Sequence, residues 1–259
     1  MDGILFDLDG VFYVGDTPAP GGPETLGWVR ANAIPHLFLT NTTSRPRAAI
    51  AEKLRGFGIE VPPEEILTPP VAAVRWIRDH VEGTTALFVP EATRAEFAKL
   101  ETAADGAASA AAVVLGDLGQ GWDFLTLNRA FRLLMQSPPP ALVALGMTRY
   151  WRASDGLRLD VGAYVSALEF ASGVTPVVLG KPAAAFYETA LALLGCGAGE
   201  AVMIGDDIRG DIGGALAVGI DAVLVRTGKF RPADLDGDIQ PTAVLDSVAD
   251  LPAWWASRR

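Results

Sequence analysis

The sequence predicts an α/β protein: a parallel sheet covered by helices on both faces, with a second α/β unit set into the middle of the chain. Two observations carry this. Short apolar runs alternate with helical stretches along all 259 residues, the signature of strand–helix–strand units. Those runs also lack polar alternation, as strands buried on both faces do. The second unit follows from a middle region with a rhythm of its own, entered at Thr68-Pro69-Pro70 and punctuated again by Pro138–Pro140. The expected division is 1–69 and 174–259 for the first unit and 70–173 for the inserted one.

Ile4-Leu5-Phe6 is the first strand and ends in acidic and glycine residues. A Pro/Gly cluster, Pro18–Pro23, precedes a helix from about Glu24 to Ala31. His36–Leu39 is the next strand, and Ser44 is a candidate cap for a helix from Pro46 to about Phe57. In the middle region we expect helix 71–80, strand 86–89, a helix from Thr93, strand 111–115, helix 124–135 and strand 142–145. The first unit resumes with strands at Pro176–Leu179, Ala201–Ile204 and Ala222–Val225, separated by helices near 183–194 and 211–218.

Half the residues are hydrophobic and a fifth charged, ordinary for a globular protein. The charge is 21 − 31 = −10, which argues against sequence-independent binding to nucleic acid or anionic lipid. A single cysteine, Cys196, excludes an intramolecular disulfide. No secretory signal is visible at Met1–Ile4, and no apolar run reaches the ~18–20 residues of a membrane helix. The expectation is a soluble, cytoplasmic protein with no membrane or nucleic-acid partner.

Four short segments carry chemistry, each at an expected strand end. Asp7 and Asp9, in Phe6-Asp7-Leu8-Asp9-Gly10, are two positions apart and can project to one side. So close a pair of like charges requires a cation, a shared proton or full solvation; alone, the tetrapeptide is also an ordinary turn. Asp206, Asp207 and Asp211 follow Val202-Met203-Ile204. Three carboxylates at a strand-to-helix junction suit a hard cation such as Mg²⁺, whereas helix capping accounts well for one of them only. Thr40-Asn41-Thr42-Thr43 offers hydroxyls and backbone N–H groups near a helix start, and Lys181 adds one cation. Ligands of open parallel sheets bind outside the C-terminal strand ends.

Taken together, DLDGVFY, FLTNTT, VLGKP and MIGDDIRGDI resemble the four motifs of the haloacid dehalogenase (HAD) superfamily, subfamily IIA, in its NagD-type and phospholysine/phosphohistidine/inorganic pyrophosphate phosphatase-like branches. ILTPPVAA, VGAYVSALEFASGV and VRTGKF extend the resemblance over essentially the whole chain. It implies a Rossmannoid three-layer α/β/α core with an inserted type C2 cap. The phospholysine type carries Ser where this chain has Asp9, a departure that favours general acid/base chemistry over phosphoamide or pyrophosphate substrates.

The resemblance further implies an Mg²⁺-dependent phosphatase for a small phosphorylated metabolite. Asp7 would be the nucleophile, forming an aspartyl-phosphate, and Asp9 the acid/base. Mg²⁺ would be held by Asp7, Asp206 and the Asp9 backbone carbonyl. Lys181, Thr40 and Asn41 would bind the transferring group, with Asp207 and Asp211 orienting metal-bound water or Lys181. A homodimer is compatible with it. Arg149–Arg152 and Leu157–Tyr164 are candidate lid elements; the competing reading has Trp151 partly buried and the arginines in solvent. A phosphoacceptor or Mg²⁺-binding regulatory module is the alternative function. Trp254 and Trp255 are expected in a core or interface, Cys196 is an inert thiol, and the Asn41-Thr42-Thr43 sequon is a coincidence.

Overall fold

The computed structural model describes residues 2–153 and 155–258. In chain order the elements are β1 (Gly3–Asp7), β2 (Tyr13–Val14), β3 (Thr17–Pro18), α1 (Gly22–Ala31), β4 (His36–Leu39), α2 (Arg47–Gly56), β5 (Ile66–Leu67) and α3 (Pro69–His80). Then come β6 (Thr85–Phe88), β7 (Ala112–Leu115), α4 (Phe124–Leu134), β8 (Ala141–Ala144), β9 (Tyr150–Ala153), β10 (Gly156–Leu159), α5 (Val161–Ser172) and β11 (Val177–Val178). The chain finishes with α6 (Ala184–Leu194), β12 (Ala201–Gly205), α7 (Gly214–Ala217), β13 (Asp221–Val225), β14 (Ala243–Leu245) and α8 (Leu251–Ala256). The whole is an α/β fold of parallel sheets. It divides into two compact units, one of residues 1–40, 47–67 and 181–259, the other of 41–46 and 68–180.

The first unit is built on a six-stranded sheet in the order β14-β13-β12-β1-β4-β5, parallel throughout. β1 and β12 sit centrally and every residue of both is buried, which is why they read as unbroken apolar runs. From β1 the chain moves outward to β4 and β5, then returns on the other side of β1 as β12. The strand order therefore reverses between β1 and β12, and such a switch point opens a crevice at the C-terminal strand ends. Phe6, Phe12 and Phe38 pack as a ring cluster beneath that edge, with centroids 5.3–5.7 Å apart. Trp255 closes the same core edge-on to Trp28.

The second unit has a four-stranded parallel sheet, β11-β8-β7-β6, and an antiparallel pair, β9-β10. Asp123 and Asp160 cap α4 and α5, accepting from Thr126 N at 2.7 Å and Val161 N at 2.6 Å. One sequence expectation is overturned. The strand at 176–179 is not part of the first sheet: Val177–Val178 pairs with β8 at the edge of the second. Its apolar pattern suits either sheet, and the pairing rests on long-range register that periodicity does not encode. The helix expected from Thr93 is a 3₁₀ turn over Glu91–Phe97, and the one at 211–218 opens as a wide turn of π type, Ile208–Gly213.

Candidate active site

Register places the first carboxylate. Phe6 lies opposite Ile204, and Asp7 opposite Leu39, so Asp206 and Thr40 follow one position past the level of Asp7, on the two strands that flank β1 at a spacing of about 5 Å. All three are buried. The turn after β12 then folds Asp211 back beneath the same edge. Asp7, Asp206 and Asp211 each offer an oxygen within 4.8 Å of the others, and Lys181 donates to both Asp7 and Asp211, the latter at 2.6 Å.

The three acids are not equivalent. Asp211 is occupied on both oxygens: Oδ1 accepts from Lys181, and Oδ2 from the backbone N–H groups of Asp206 and Asp207 at 3.2 and 3.1 Å. Tyr187 anchors this turn by donating its hydroxyl to the carbonyls of Gly210 and Asp211 at 2.8 and 3.0 Å. Asp211 is thus a support for Lys181 and the turn. Asp206 accepts from Lys229 N at 2.6 Å on Oδ2, while its Oδ1 is buried without a hydrogen-bond partner among the described residues. A buried, unpartnered carboxylate oxygen is costly unless a cation faces it.

The electrostatics agree. Burial, together with the repulsion of Asp211 and Asp206, pushes the Asp7 carboxyl up to about 8 despite the opposing pull of Lys181. Burial raises Asp206 to about 6. Burial would lower the Lys181 ammonium, but Asp211 and Asp7 more than reverse this and hold it charged. Three buried acids around one ammonium leave surplus negative charge, and every donor facing it is oxygen. That donor set fits a hard divalent cation such as Mg²⁺.

The remaining residues lie around this cluster or apart from it. Asp9 is exposed just beyond β1, and its carboxylate stands outside the acid cluster. Thr40 is fixed at the end of β4, its N–H donating to Leu67 O at 3.1 Å. The chain passes directly into Asn41, in the second unit. Asp207 turns to the helix start and to Lys229: Oδ1 accepts from Arg209 N and Gly210 N, and Oδ2 from Lys229 Nζ at 3.1 Å. Burial works against it, but Gly210 N and Lys229 hold its carboxyl below the usual range.

Of the lid candidates, Tyr150, Trp151, Leu157 and Leu159 are exposed on the β9–β10 pair, with the Arg158 guanidinium 5.8 Å from the Trp151 ring. The Arg152 side chain lies outside the described residues. Two features at the site carried no expected role. Tyr187 left no signal in a generic amphipathic helix. Thr227-Gly228-Lys229 did leave one, the VRTGKF segment.

A parallel sheet whose strand order reverses beside paired acids and a buried lysine suits a class of hydrolase, and comparison with known proteins supplies that class. The haloacid dehalogenase-like hydrolase model matches residues 4–102, and a HAD-hydrolase-like model matches residues 178–251. The chain is 37% identical over 256 residues to human phospholysine phosphohistidine inorganic pyrophosphate phosphatase, covering 96% of this chain and 92% of that one. It is 36% identical over 245 residues to bovine haloacid dehalogenase-like hydrolase domain-containing protein 2, covering 95% and 91%. Among solved structures, p-nitrophenyl phosphatase from Archaeoglobus fulgidus superposes with a TM-score of 0.87 at 28% identity, covering 98% of each chain. The chain belongs to the haloacid dehalogenase-like hydrolase family, and it is a phosphatase of subfamily IIA.

Proposed function

We propose that this phosphatase is Mg²⁺-dependent and hydrolyses phosphomonoesters of small metabolites through an aspartyl-phosphate on Asp7. The observation that carries the reading is the buried pair of Asp7, held by Lys181, and Asp206 with its unpartnered Oδ1. In this reading the first unit, expected from the sequence at 1–69 and 174–259, is the catalytic core, and the second, expected at 70–173 but also holding β11 (Val177–Val178), is the substrate-selecting cap. Mg²⁺ would be held by Asp7, Asp206 and the Asp9 carbonyl, where its charge would keep both carboxylates ionised and shield Asp7 from an anionic phosphate.

Asp7 attacks phosphorus, and the bond to the ester oxygen breaks. The Asp9 carboxyl gives that oxygen its proton, then as carboxylate takes one from water, which attacks the phosphoryl group and releases Asp7 and inorganic phosphate. Lys181, Thr40 and the Asn41 backbone N–H neutralise charge on the transferring group. Asp211 holds Lys181, and Asp207 supports the turn.

Turnover of p-nitrophenyl phosphate and a panel of phosphorylated metabolites, phospholysine and pyrophosphate included, tests this directly. The expected result is chelator-sensitive hydrolysis, best on a phosphomonoester, that disappears in Asp7→Asn. Preference for a P–N bond or for pyrophosphate overturns the substrate class. Chelator-resistant turnover overturns the metal, and an unlabelled Asp7 after quenching overturns the covalent route. The same reading includes a homodimer, measured by light scattering.

A further inference from the structure

The loop after β13 reaches two parts of the site at once. Lys229 N–H donates to Asp206 Oδ2 at 2.6 Å, and Thr227 donates its hydroxyl to the Gly10 carbonyl. Gly10 N–H in turn donates to Tyr13 O at 2.6 Å. That N–H shares a planar trans peptide with the Asp9 carbonyl, so engaging it sets the direction in which the carbonyl points. The fit is close enough to dictate residue type. A Cβ on Gly228 would stand 2.0 Å from Asp206 Oδ2 and 2.5 Å from Gly10 Cα, and one on Gly10 would stand 1.9 Å from the same oxygen. Both glycines also have positive φ, +60° and +98°.

We propose that Thr227-Gly228-Lys229 is a positioning element for the cation ligands, resting on the Mg²⁺ reading above. By engaging Asp206 Oδ2 the loop leaves Oδ1 as the oxygen presented to the cation. By holding the Gly10 carbonyl it steadies the turn in which Gly10 N–H, bonded to Tyr13 O, orients the Asp9 carbonyl that would serve as a further ligand. The ligands are thereby oriented before the ion arrives, and outer partners of this kind are worth roughly 10–100-fold in metal affinity.

The test is Mg²⁺ binding to the phosphate-free protein by calorimetry, which needs no turnover, in wild type, Thr227→Val and Thr227→Ser. Thr227→Val keeps the shape of the side chain and removes the donor, so Mg²⁺ affinity falls about tenfold or more. The Mg²⁺ concentration for half-maximal turnover rises with it, and by more than the substrate KM at saturating Mg²⁺. Thr227→Ser restores both. Unchanged Mg²⁺ affinity in Thr227→Val, with at most a lower unfolding midpoint in chelator, overturns the proposal, as does equal loss in Thr227→Ser. If Thr227→Val fails to fold, Thr227→Ala carries the same expectation. Wild type that takes up no Mg²⁺ overturns the metal reading and this one with it; wild-type uptake matched by the variants overturns the loop's role alone.

Discussion

The two parallel sheets of this protein share an architecture and differ in what stands at their edges. In the first, β1 and β12 end in buried acids, and Lys181 is drawn in with them. The second is buried as well, with every residue of β6 and β7 in the interior. Yet among the described residues the buried polar ones of its unit are threonines: Thr68, Thr85 and Thr93. Val89, Gly116 and Leu145 occupy the positions just past its strand ends, where the first sheet has Thr40 and Asp206. A parallel sheet supplies a rigid edge; the residues placed on that edge supply the chemistry.

This contrast is sharpest under mutation. Asp7→Asn should reduce kcat on the order of 10⁴-fold or more, while the metal-free unfolding midpoint holds or rises, because the amide is neutral among the crowded buried acids without having to retain a proton. A midpoint that falls sharply with the activity would make Asp7 a structural residue. Leu142→Ala, in the second sheet, whose strands carry no charged residue, should do the reverse. Leu142 is 1% exposed, so truncation costs about 2–5 kcal/mol of stability, while kcat per folded molecule stays near wild type. Loss of kcat in the folded variant would bring the second sheet into the chemistry.

The pH dependence separates the sheets further. Asp7 and Asp206 are raised to about 8 and about 6 from the usual carboxylate value. The folded protein thus retains protons that the unfolded chain has already released. Their contribution to stability is complete below the unfolded value near 4, and it is lost as pH rises through 6 and then 8. Bound Mg²⁺ must displace those protons, so its stabilising effect should grow with pH across the same window. Unfolding midpoints in chelator and in excess Mg²⁺, from pH 5.5 to 8.5, measure this. A shift that is flat or shrinks with pH would remove Asp7 and Asp206 from the metal site. The smallest effect should come from an exposed charge pair just past the outer strands β13 and β14. Arg226 and Asp246 meet at 2.9 Å with side chains 50% and 81% exposed, so Arg226→Ala should cost about 0.2–1 kcal/mol and leave Mg²⁺ binding unchanged.

What could be read along the chain was whatever local pattern encodes. GILFD and AVMIG are apolar runs ending in acid or glycine, and the structure makes both of them central strands with every residue buried. Local pattern made Asp211 one more acid of a cluster, and the resemblance left it orienting either metal-bound water or Lys181. The turn of π type shows its oxygens spent on Lys181 and on backbone N–H groups. The β9–β10 pair fell within segments read as a lid, but its antiparallel pairing was not evident from them, since it offers little alternation to detect. Val177–Val178 has a strand's composition and gives no hint of which sheet accepts it.

The sequence by itself determined the fold class, the alternation of strand and helix, and the family, because burial on both faces and acid-bearing strand ends are properties of short windows. Only the tertiary structure decided which acid keeps an unpartnered oxygen, which one holds the lysine, and that a loop 217 residues beyond Gly10 clasps both Gly10 and Asp206. Those are matters of strand register and distant contact, in which a shift of one residue moves every side chain to the opposite face.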